Sequence, residues 1–254
     1  MTELRALIFD VDGTMADTER DGHRVAFNSA FSEAGLDWDW SVSLYSELLE
    51  IAGGKERIRF YLDKYRPDFE PPTNLDQFIA ELHAAKTKYY QQLVASGAIP
   101  LRPGVKRLLE EARTQGVRLA IATTAALPNV TALLEHNLAP DAPEWFEVIA
   151  AGDIVPAKKP ASDIYHYVLR EIGLSAWDCI AIEDSHHGLK AAAGVGLKTV
   201  ITVNDYTRTQ DFAGAVLVLS HLGEPELPFT VLAGDAGEMS YFNLALARCL
   251  HCSR

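Results

Sequence analysis

Two aspartates stand one residue apart directly after an apolar stretch near the start of the chain. Asp10 and Asp12 follow the run 4–9, whose residues predict a strand buried on both faces. Two carboxylates this close repel each other unless a cation binds them, and Mg²⁺ accepts one or two carboxylates together with water and phosphate oxygens. Gly13 allows a sharp turn, and Thr14 adds a hydroxyl. The stretch favours magnesium-assisted phosphate chemistry over an ordinary Asp-rich turn, which needs neither the second aspartate nor the threonine.

Further polar residues follow the later apolar stretches at equivalent points. They are Thr123 and Thr124, Lys158 and Lys159, and Glu183 and Asp184. Each pair stands at the carboxyl end of a predicted strand. In an open parallel sheet these ends share one edge, and ligands of such folds bind there. Carboxylates, a hydroxyl and a lysine at one edge predict a metal-assisted phosphate site.

The elements that must position these groups alternate between strand and helix from Leu101 onward. Such alternation predicts an α/β fold of Rossmann-like type, a parallel sheet with helices on both faces. After the first strand, the predicted strands are 117–123, 147–151, 179–183, 199–203 and 215–219. The predicted helices are 103–115, with Pro103 in its first turn, 128–138, 162–172 and 186–193, followed by an amphipathic stretch over 239–250.

Between the first strand and Leu101 the sequence predicts helices only. They are expected from Thr18 to Gly35, over 43–52, over 55–66 and over 75–96, with Thr18–Asp21 and Thr73–Asp76 spaced as capping boxes. A parallel crossover needs only one helix, so four helices indicate an inserted domain. We therefore expect a helical cap domain over 17–96 and a discontinuous core formed by 1–16 and 97–254.

The composition limits the classes of partner. A net charge of −12 argues against non-specific binding of nucleic acid, and an anionic ligand then needs local positive charge from a metal or a few lysines and arginines. No apolar run approaches the roughly 18 residues of a membrane span, and the first residues lack a signal-peptide pattern. Three cysteines are too few for a disulfide framework. We expect a cytoplasmic, monomeric protein that binds a small molecule, with no nucleic-acid or membrane partner.

Four motifs resemble those of the haloacid dehalogenase superfamily of phosphotransferases, in the same order. They are Asp10 to Thr14, Thr123, Lys159 before Pro160, and Glu183 to Ser185. The resemblance covers nearly the whole predicted core, and the helical insert resembles the helical cap of that superfamily. Segments 17–28, 52–58 and 122–130 resemble more narrowly the CbbY group, whose members are encoded beside carbon-fixation genes. Those members remove phosphate from xylulose-1,5-bisphosphate, an inhibitory by-product of Rubisco.

The resemblance implies a role for each acidic motif residue. Asp10 would attack phosphorus and form an aspartyl-phosphate. Asp12 would protonate the leaving sugar oxygen and then take a proton from the attacking water. Mg²⁺, the expected cofactor, would bind Asp10, Asp184 and the main-chain carbonyl of Asp12, with Glu183 holding a metal-bound water.

Further core positions are implied as phosphate contacts. Thr123 would donate to a phosphoryl oxygen, and Lys159, rather than a solvent-facing Lys158, would neutralise the phosphoryl group and the nucleophile. Thr124 is either a substrate contact or an ordinary β-branched strand residue. Ser185 is either part of the site or a helix cap.

The insert must then select the substrate, because the core motifs recognise only the transferring phosphate. Gly53 and Gly54 begin a predicted helix whose N–H groups can bind an anion. With Lys55 and Arg57 they form a candidate site for a second phosphate, Arg57 gripping it with two hydrogen bonds. A solvated basic helix face is the alternative interpretation.

Three more residues are candidate substrate contacts. Glu19 and His23 stand just past the first connection, where they can reach sugar hydroxyls or lie on a polar helix face. Asn129 can touch the distal phosphate or cap its helix. Ala125 and Ala126 stand where many relatives carry hydroxyls, which removes possible donors to that phosphate.

We therefore expect a Mg²⁺-dependent sugar-phosphate phosphatase that acts on xylulose-1,5-bisphosphate. A phosphatase for phosphoglycolate or sugar monophosphates and a β-phosphoglucomutase-like phosphotransferase share every core motif and stay open as alternatives. A non-catalytic protein that binds sugar phosphates is the alternative of another class. The intact Asp10, Asp12, Lys159 and Asp184 argue against it.

Overall fold

The computed structural model describes residues 3–51 and 53–252. The chain forms two compact units. One unit comprises the chain up to Asp17 and from Pro100 onward, and it contains the sheet. The other unit, Thr18–Ile99, is helical. Within the described ranges, no helix is both long enough and apolar enough to cross a membrane.

A seven-stranded sheet forms the centre of the first unit. Its strands are β1 (Ala6–Phe9), β2 (Arg118–Ala122), β3 (Val148–Ala150), β4 (Cys179–Glu183), β5 (Lys198–Thr202), β6 (Leu217–Leu219) and β7 (Val231–Gly234). Their order is β3-β2-β1-β4-β5-β6-β7, and all neighbours are parallel except β6 and β7. The predicted α/β class is therefore confirmed.

Strand β1 lies in the middle of the sheet. It pairs with β2 on one side and β4 on the other, so that Phe9 is level with Ile121 and Ile182. All four of its residues are completely buried. Because alternate side chains point to opposite faces, both faces of the strand are covered, as the apolar run predicted. The residues that follow β1, β2 and β4 consequently meet at one edge of the sheet.

The helical unit has an aromatic core of its own. A π-helical turn, Thr18–His23, leads into α1 (Arg24–Glu33), α2 (Val42–Leu48), α3 (Gly54–Tyr65) and α4 (Leu75–Ala95). The ring of the completely buried Trp40 lies 4.6 Å from that of Phe27 and 4.9 Å from that of Phe31, measured between centroids. Buried aromatic groups of this kind bring large apolar area and favourable ring contacts into a small core.

The helices of the sheet unit cover the strands. They are α5 (Val105–Thr114), α6 (Leu127–Asn137), α7 (Asp163–Ile172), α8 (His186–Ala193) and α9 (Leu244–Cys252). Ile164 and Val168 of α7 lie in one buried apolar cluster with Ile8 of β1 and Ala181 of β4. This cluster anchors α7 directly behind the strands whose ends carry the polar residues.

The end of the chain differs from the prediction. The pattern predicts that 215–219 closes the sheet, but β7 adds one more strand, antiparallel to β6. All four residues of β7 are exposed. A strand without a buried face shows no alternation of apolar and polar residues, so the sequence carries no sign of it. The last helix begins at Leu244 rather than at 239.

Helix α4 begins at Leu75 as predicted, but its predicted cap is wrong, and α5 begins later than predicted. Asn74, not Thr73, caps α4, and its Oδ1 accepts from the Asp76 N–H at 2.9 Å. Pro103 precedes α5 rather than lying in its first turn, because Gly104, with φ +87°, is the N-cap. Asparagine is among the best N-capping residues, and it competes here with its threonine neighbour.

Two further predictions in the helical unit need correction. The stretch with the expected capping box at Thr18 and Asp21 is a π-helical turn rather than the start of an α-helix, and Asp21 pairs with Arg20 at 2.8 Å. Helix α2 ends at Leu48, and the predicted continuation becomes a turn. Ala52, the predicted last residue of that helix, lies outside the described residues.

Candidate active site

Four charged residues from three separate stretches meet at the carboxyl edge of the sheet. Asp10 follows β1, and Lys159 lies in the segment before α7. Glu183 is the last residue of β4, and Asp184 comes directly after it. Lys159 Nζ donates to Asp10 Oδ1 at 2.7 Å and to Glu183 Oε1 at 2.6 Å. In the described part of the chain, Asp10, Glu183 and Asp184 form a buried group whose candidate ligand atoms all lie within 4.8 Å of one another.

Burial and close charges shift the pKa values of these groups. Burial alone would lower the pKa of the Lys159 ammonium, but Asp10 and Glu183 outweigh it and hold that pKa above its ordinary value. Burial raises the pKa of Asp184 well above its ordinary value, and the charges of Asp10 and Glu183 add to this. Burial also raises the pKa of Glu183 to about 7, with Lys159 opposing the shift. The single positive charge of Lys159 therefore does not balance the negative charges that Asp10, Glu183 and Asp184 would carry if all three were ionised.

The acidic group fits a divalent cation. Glu183 Oε2 is buried and lacks a hydrogen-bond partner among the described residues, so its charge is poorly compensated by the protein alone. The ligand atoms are hard carboxylate oxygens, which Mg²⁺ prefers. A bound cation would counter the charges of Asp10 and Glu183, which add to the effect of burial on the pKa of Asp184. Asp10, Glu183 and Asp184 are therefore a candidate metal site.

An asparagine that the sequence analysis missed holds Asp184 in place. Asn204 follows β5, and its Nδ2 donates to Asp184 Oδ2 at 2.7 Å. Gly13, with φ +83°, turns the chain beside this pair. A Cβ on Gly13 would lie 2.9 Å from the Asp184 carboxyl carbon and 2.5 Å from Asn204 Nδ2, so a glycine is required. The strand-end rule that located the other polar groups applies equally to Asn204.

Arg102 holds the turn that follows β1. Its buried guanidinium donates to the carbonyl oxygens of Gly13, Thr202 and Val203, the last two at 3.0 and 2.5 Å. Its Nε also lies 3.3 Å from Asp17 Oδ1. The planar fork of an arginine can serve several carbonyls at once, and here it ties the turn to the end of β5. Nothing in the sequence distinguishes Arg102 from a surface arginine.

The hydroxyl residues after β2 differ in exposure. Thr123 is completely buried, and its Oγ1 accepts from the Ala125 N–H at 3.1 Å. Thr124 is exposed, and because β2 ends at Ala122 it is not a strand residue.

Asp12 is partly buried in the turn after β1.

Two capping alternatives are decided by the structure. Asn129 does not cap α6, because Ala126 is the N-cap and no side chain makes the capping bond. Ser185 does cap α8, with its Oγ accepting from the Gly188 N–H at 3.1 Å. Lys158 is exposed, whereas Lys159 is not.

In the helical unit, three of the polar side chains form a hydrogen-bonded chain. Tyr45 Oη donates to Glu19 Oε2 at 2.7 Å, and Arg57 Nη1 donates to Tyr45 Oη at 2.8 Å. Arg57 Nε also donates to the carbonyl of Leu48 at 3.0 Å. The guanidinium is therefore held in one position by atoms of α2 and the turn after it. Tyr45 was not predicted, since no spacing in the sequence marks it among the other tyrosines.

His23 belongs to a neighbouring cluster in the same unit. Its ring stacks on Tyr90 with centroids 3.8 Å apart, and its Nδ1 lies 2.7 Å from Lys86 Nζ. Burial and the charges of Lys86 and Arg57 lower the pKa of His23 to about 4, against the opposing charge of Glu19. Burial also lowers the pKa of Lys86 to about 8. His23 is therefore neutral at pH 7. Lys86, a buried lysine within α4, was not predicted.

The glycine-started helix begins as predicted, but a carboxylate lies over its start. Gly53, with φ +93°, is the N-cap of α3, and Gly54 is its first residue. The Glu56 carboxyl carbon lies 2.9 Å from the position that a Cβ on Gly53 would take. Lys55 is exposed. An anion can bind at this helix start only if the Glu56 side chain rotates into solvent.

Comparisons with known proteins agree with this architecture. A sequence model of the haloacid dehalogenase-like hydrolases matches residues 4–196, more than half of the chain. The chain belongs to this family. The resemblance inferred from the four motifs is therefore confirmed, and the protein is a hydrolase of the phosphatase type.

Within the family, the chain is similar to CbbY proteins. It is 47% identical over 248 residues to the protein CbbY, plasmid, of Cupriavidus necator, which covers 98% of this chain and 97% of that protein. It is 40% identical to a CBBY-like protein of Arabidopsis thaliana over 87% of this chain and 70% of the relative. A crystal structure of a CbbY mutant from Rhodobacter sphaeroides, in complex with xylulose-1,5-bisphosphate, superposes with a TM-score of 0.69 at 45% identity, over 86% of this chain and 94% of that one.

Proposed function

We propose that this hydrolase is a Mg²⁺-dependent phosphatase whose substrate is xylulose-1,5-bisphosphate. The main structural support for this reaction is the 2.7 Å contact between the Lys159 ammonium and the Asp10 carboxylate, which belongs to the buried acidic group. The substrate assignment rests on the CbbY of Rhodobacter sphaeroides, which was crystallised with that bisphosphate. The cytoplasmic location and the monomeric state expected from the sequence belong to the same proposal.

The proposed reaction has two steps at one aspartate. The Asp10 carboxylate attacks phosphorus, an O–P bond forms, and the bond from phosphorus to the sugar oxygen breaks. Asp12 gives its proton to that leaving oxygen. It then takes a proton from the water that hydrolyses the aspartyl-phosphate, which releases phosphate and restores Asp10. Lys159 compensates negative charge on Asp10 and the phosphoryl group throughout, and Thr123 donates a hydrogen bond to a phosphoryl oxygen.

The proposed metal ligands are Asp10, Asp184 and the main-chain carbonyl of Asp12, with Glu183 binding through a water. When bound, Mg²⁺ screens the negative charges of phosphate and carboxylates that would otherwise repel each other. Asn204 orients Asp184 through the 2.7 Å hydrogen bond and so prepares one ligand.

The helical unit is proposed to be the cap domain that selects the substrate. Arg57 is the candidate for the second phosphate, because Tyr45 and the Leu48 carbonyl already hold its guanidinium in position. Glu19 accepts from Tyr45 and is a candidate for sugar hydroxyls. The other proposed contacts are His23, Gly53, Gly54 and Lys55 in this unit and Thr124 and Asn129 in the sheet unit.

Phosphate release from xylulose-1,5-bisphosphate, measured with Mg²⁺ and with EDTA, tests the reaction. Asp10→Asn should lower kcat at least ~10³-fold, because an amide cannot form the acyl-phosphate. Asp153→Asn is the matched control, since that side chain is 97% exposed, and it should keep the wild-type rate. Near-normal turnover of purified Asp10→Asn would contradict the proposed nucleophile.

A panel of substrates tests the assignment of the bisphosphate. We expect kcat/KM to be highest for xylulose-1,5-bisphosphate among sugar bisphosphates, sugar monophosphates and phosphoglycolate. A higher value for any monophosphate would overturn the substrate assignment while leaving the phosphatase reaction intact. Transfer of the phosphoryl group to a sugar in preference to water would instead overturn hydrolysis.

A further inference from the structure

A buried tyrosine contacts the site and has no part in the reaction described above. Tyr165 lies on α7 and is completely buried. Its phenolic oxygen donates to Glu183 Oε1 at 2.5 Å. The Lys159 ammonium donates to the same oxygen at 2.6 Å and lies 5.5 Å from the centroid of the tyrosine ring. Tyr165 thus contacts Glu183 directly and lies beside Lys159, whose ammonium contacts Asp10.

We propose that Tyr165 is a positioning residue: through Glu183 Oε1 it fixes the Lys159 ammonium against the nucleophile Asp10. The inference rests on the role proposed above for Lys159. Tyr165 itself touches neither substrate nor the reacting atoms. Its effect on the reaction must therefore pass through the contacts of Glu183 and Lys159.

The geometry explains why the lysine needs this support. A lysine side chain is a flexible four-carbon stem that ends in a point charge, so its ammonium is placed only by its partners. The carboxylate of a glutamate turns about a broad terminal torsion and does not by itself present one particular oxygen. The tyrosine hydroxyl and the ammonium converge on Oε1, while Oε2 has no partner in the described part of the chain. Both hydrogen bonds together select the rotation of the carboxylate that keeps Lys159 2.7 Å from Asp10.

The phenylalanine variant separates the hydroxyl from the ring. Tyr165→Phe keeps the aromatic face beside the ammonium and the packing of α7, and it removes one hydrogen bond to a charged group. The loss of such a bond corresponds to a fall of roughly 10-fold. We expect kcat for phosphate release at saturating Mg²⁺ to fall about 10-fold, with an unchanged KM for the sugar phosphate.

Tyr167→Phe is the matched control. Tyr167 lies on the same helix, is partly buried, and has its ring under Arg170 at 5.0 Å from the guanidinium carbon. The same loss of a hydroxyl there should leave kcat within twofold of the wild type. Thermal unfolding of both variants verifies that each is folded at the assay temperature.

A double-mutant cycle then tests whether the effect passes through the lysine. In a Lys159→Ala background, Tyr165→Phe should cause no further loss beyond twofold, because the group that it positions is gone. An equal 10-fold loss in both backgrounds would overturn the inference, and so would wild-type kcat in Tyr165→Phe or a change confined to KM. Full activity of Lys159→Ala is a separate result, which would refute the proposed role of the lysine itself.

Discussion

Gly188 in α8 lies so close to Glu183 that adding a single methyl group should disturb the site. All three atoms of the Glu183 carboxylate lie within 2.6 Å of the position that a Cβ on Gly188 would take. An ordinary contact at that point needs at least 3.4 Å. In Gly188→Ala the carboxylate must therefore move by about 1 Å or more, unless α8 itself shifts.

The size of the effect follows from the bonds that this movement affects. Glu183 Oε1 is held at 2.6 Å from Lys159 and 2.5 Å from Tyr165, and such bonds weaken once the distance exceeds about 3.2 Å for N–H···O and about 3.0 Å for O–H···O. A misplacement of 1 Å in a catalytic arrangement costs roughly 10²-fold in rate. Replacing glycine by alanine within a helix raises the free energy of unfolding by about 1 kcal/mol. Each hydrogen bond lost from the buried carboxylate lowers it by about 1.5–3 kcal/mol, so the two effects partly cancel. We expect kcat to fall about 100-fold and Tm to fall by only a few degrees.

Steady-state phosphate release and thermal unfolding of the same preparation measure both quantities. His187→Ala is the matched control, because His187 is the exposed neighbour in the same helical turn. It should change neither kcat nor Tm appreciably. A Gly188→Ala enzyme with kcat within twofold of the wild type would refute the argument that the glycine makes room for Glu183. An equal loss in His187→Ala would assign the effect to α8 as a whole.

Three further predictions concern the metal, the second phosphate and pH. Asp184→Asn should raise the Mg²⁺ concentration for half-maximal phosphate release, and excess Mg²⁺ should partly restore the rate; a low rate that does not respond to Mg²⁺ would exclude Asp184 as a ligand. Arg57→Ala should raise KM about 10- to 150-fold for bisphosphates and little for monophosphates. Arg59→Ala is the control, because the Arg59 side chain is exposed. Equal increases of KM for both substrate types would contradict a second-phosphate site. Because the pKa of His23 is about 4 in the folded protein and 6.5 unfolded, the unfolded chain binds the extra proton, so the free energy of unfolding should fall as pH drops from 6.5 toward 4. His23→Phe should show a smaller fall in urea titrations over that range, and identical slopes would show that His23 does not titrate as described.

The sequence by itself determined the class of fold and the main polar groups at the sheet edge. Strand β1 is recognisable because a strand buried on both faces must be apolar at every position. The alternation of strands and helices implied a parallel sheet, and in such a sheet the residues after the strands share one edge. That rule applies to Asp10, Glu183 and Asp184, and it would also have selected Asn204. These features are local in the chain, so local pattern reveals them.

Only the tertiary structure decided which distant side chains hold those groups. Tyr165 is an apolar-face residue of α7 by its spacing, and its hydroxyl matters only because Glu183, 18 residues later in the chain, lies beside it. Arg102 resembles any surface arginine until the ends of β1 and β5 surround it. The exposed edge strand β7 has no buried face and hence no pattern to read. Such contacts depend on how separate segments pack in three dimensions, and neither residue type nor spacing along the chain specifies that packing.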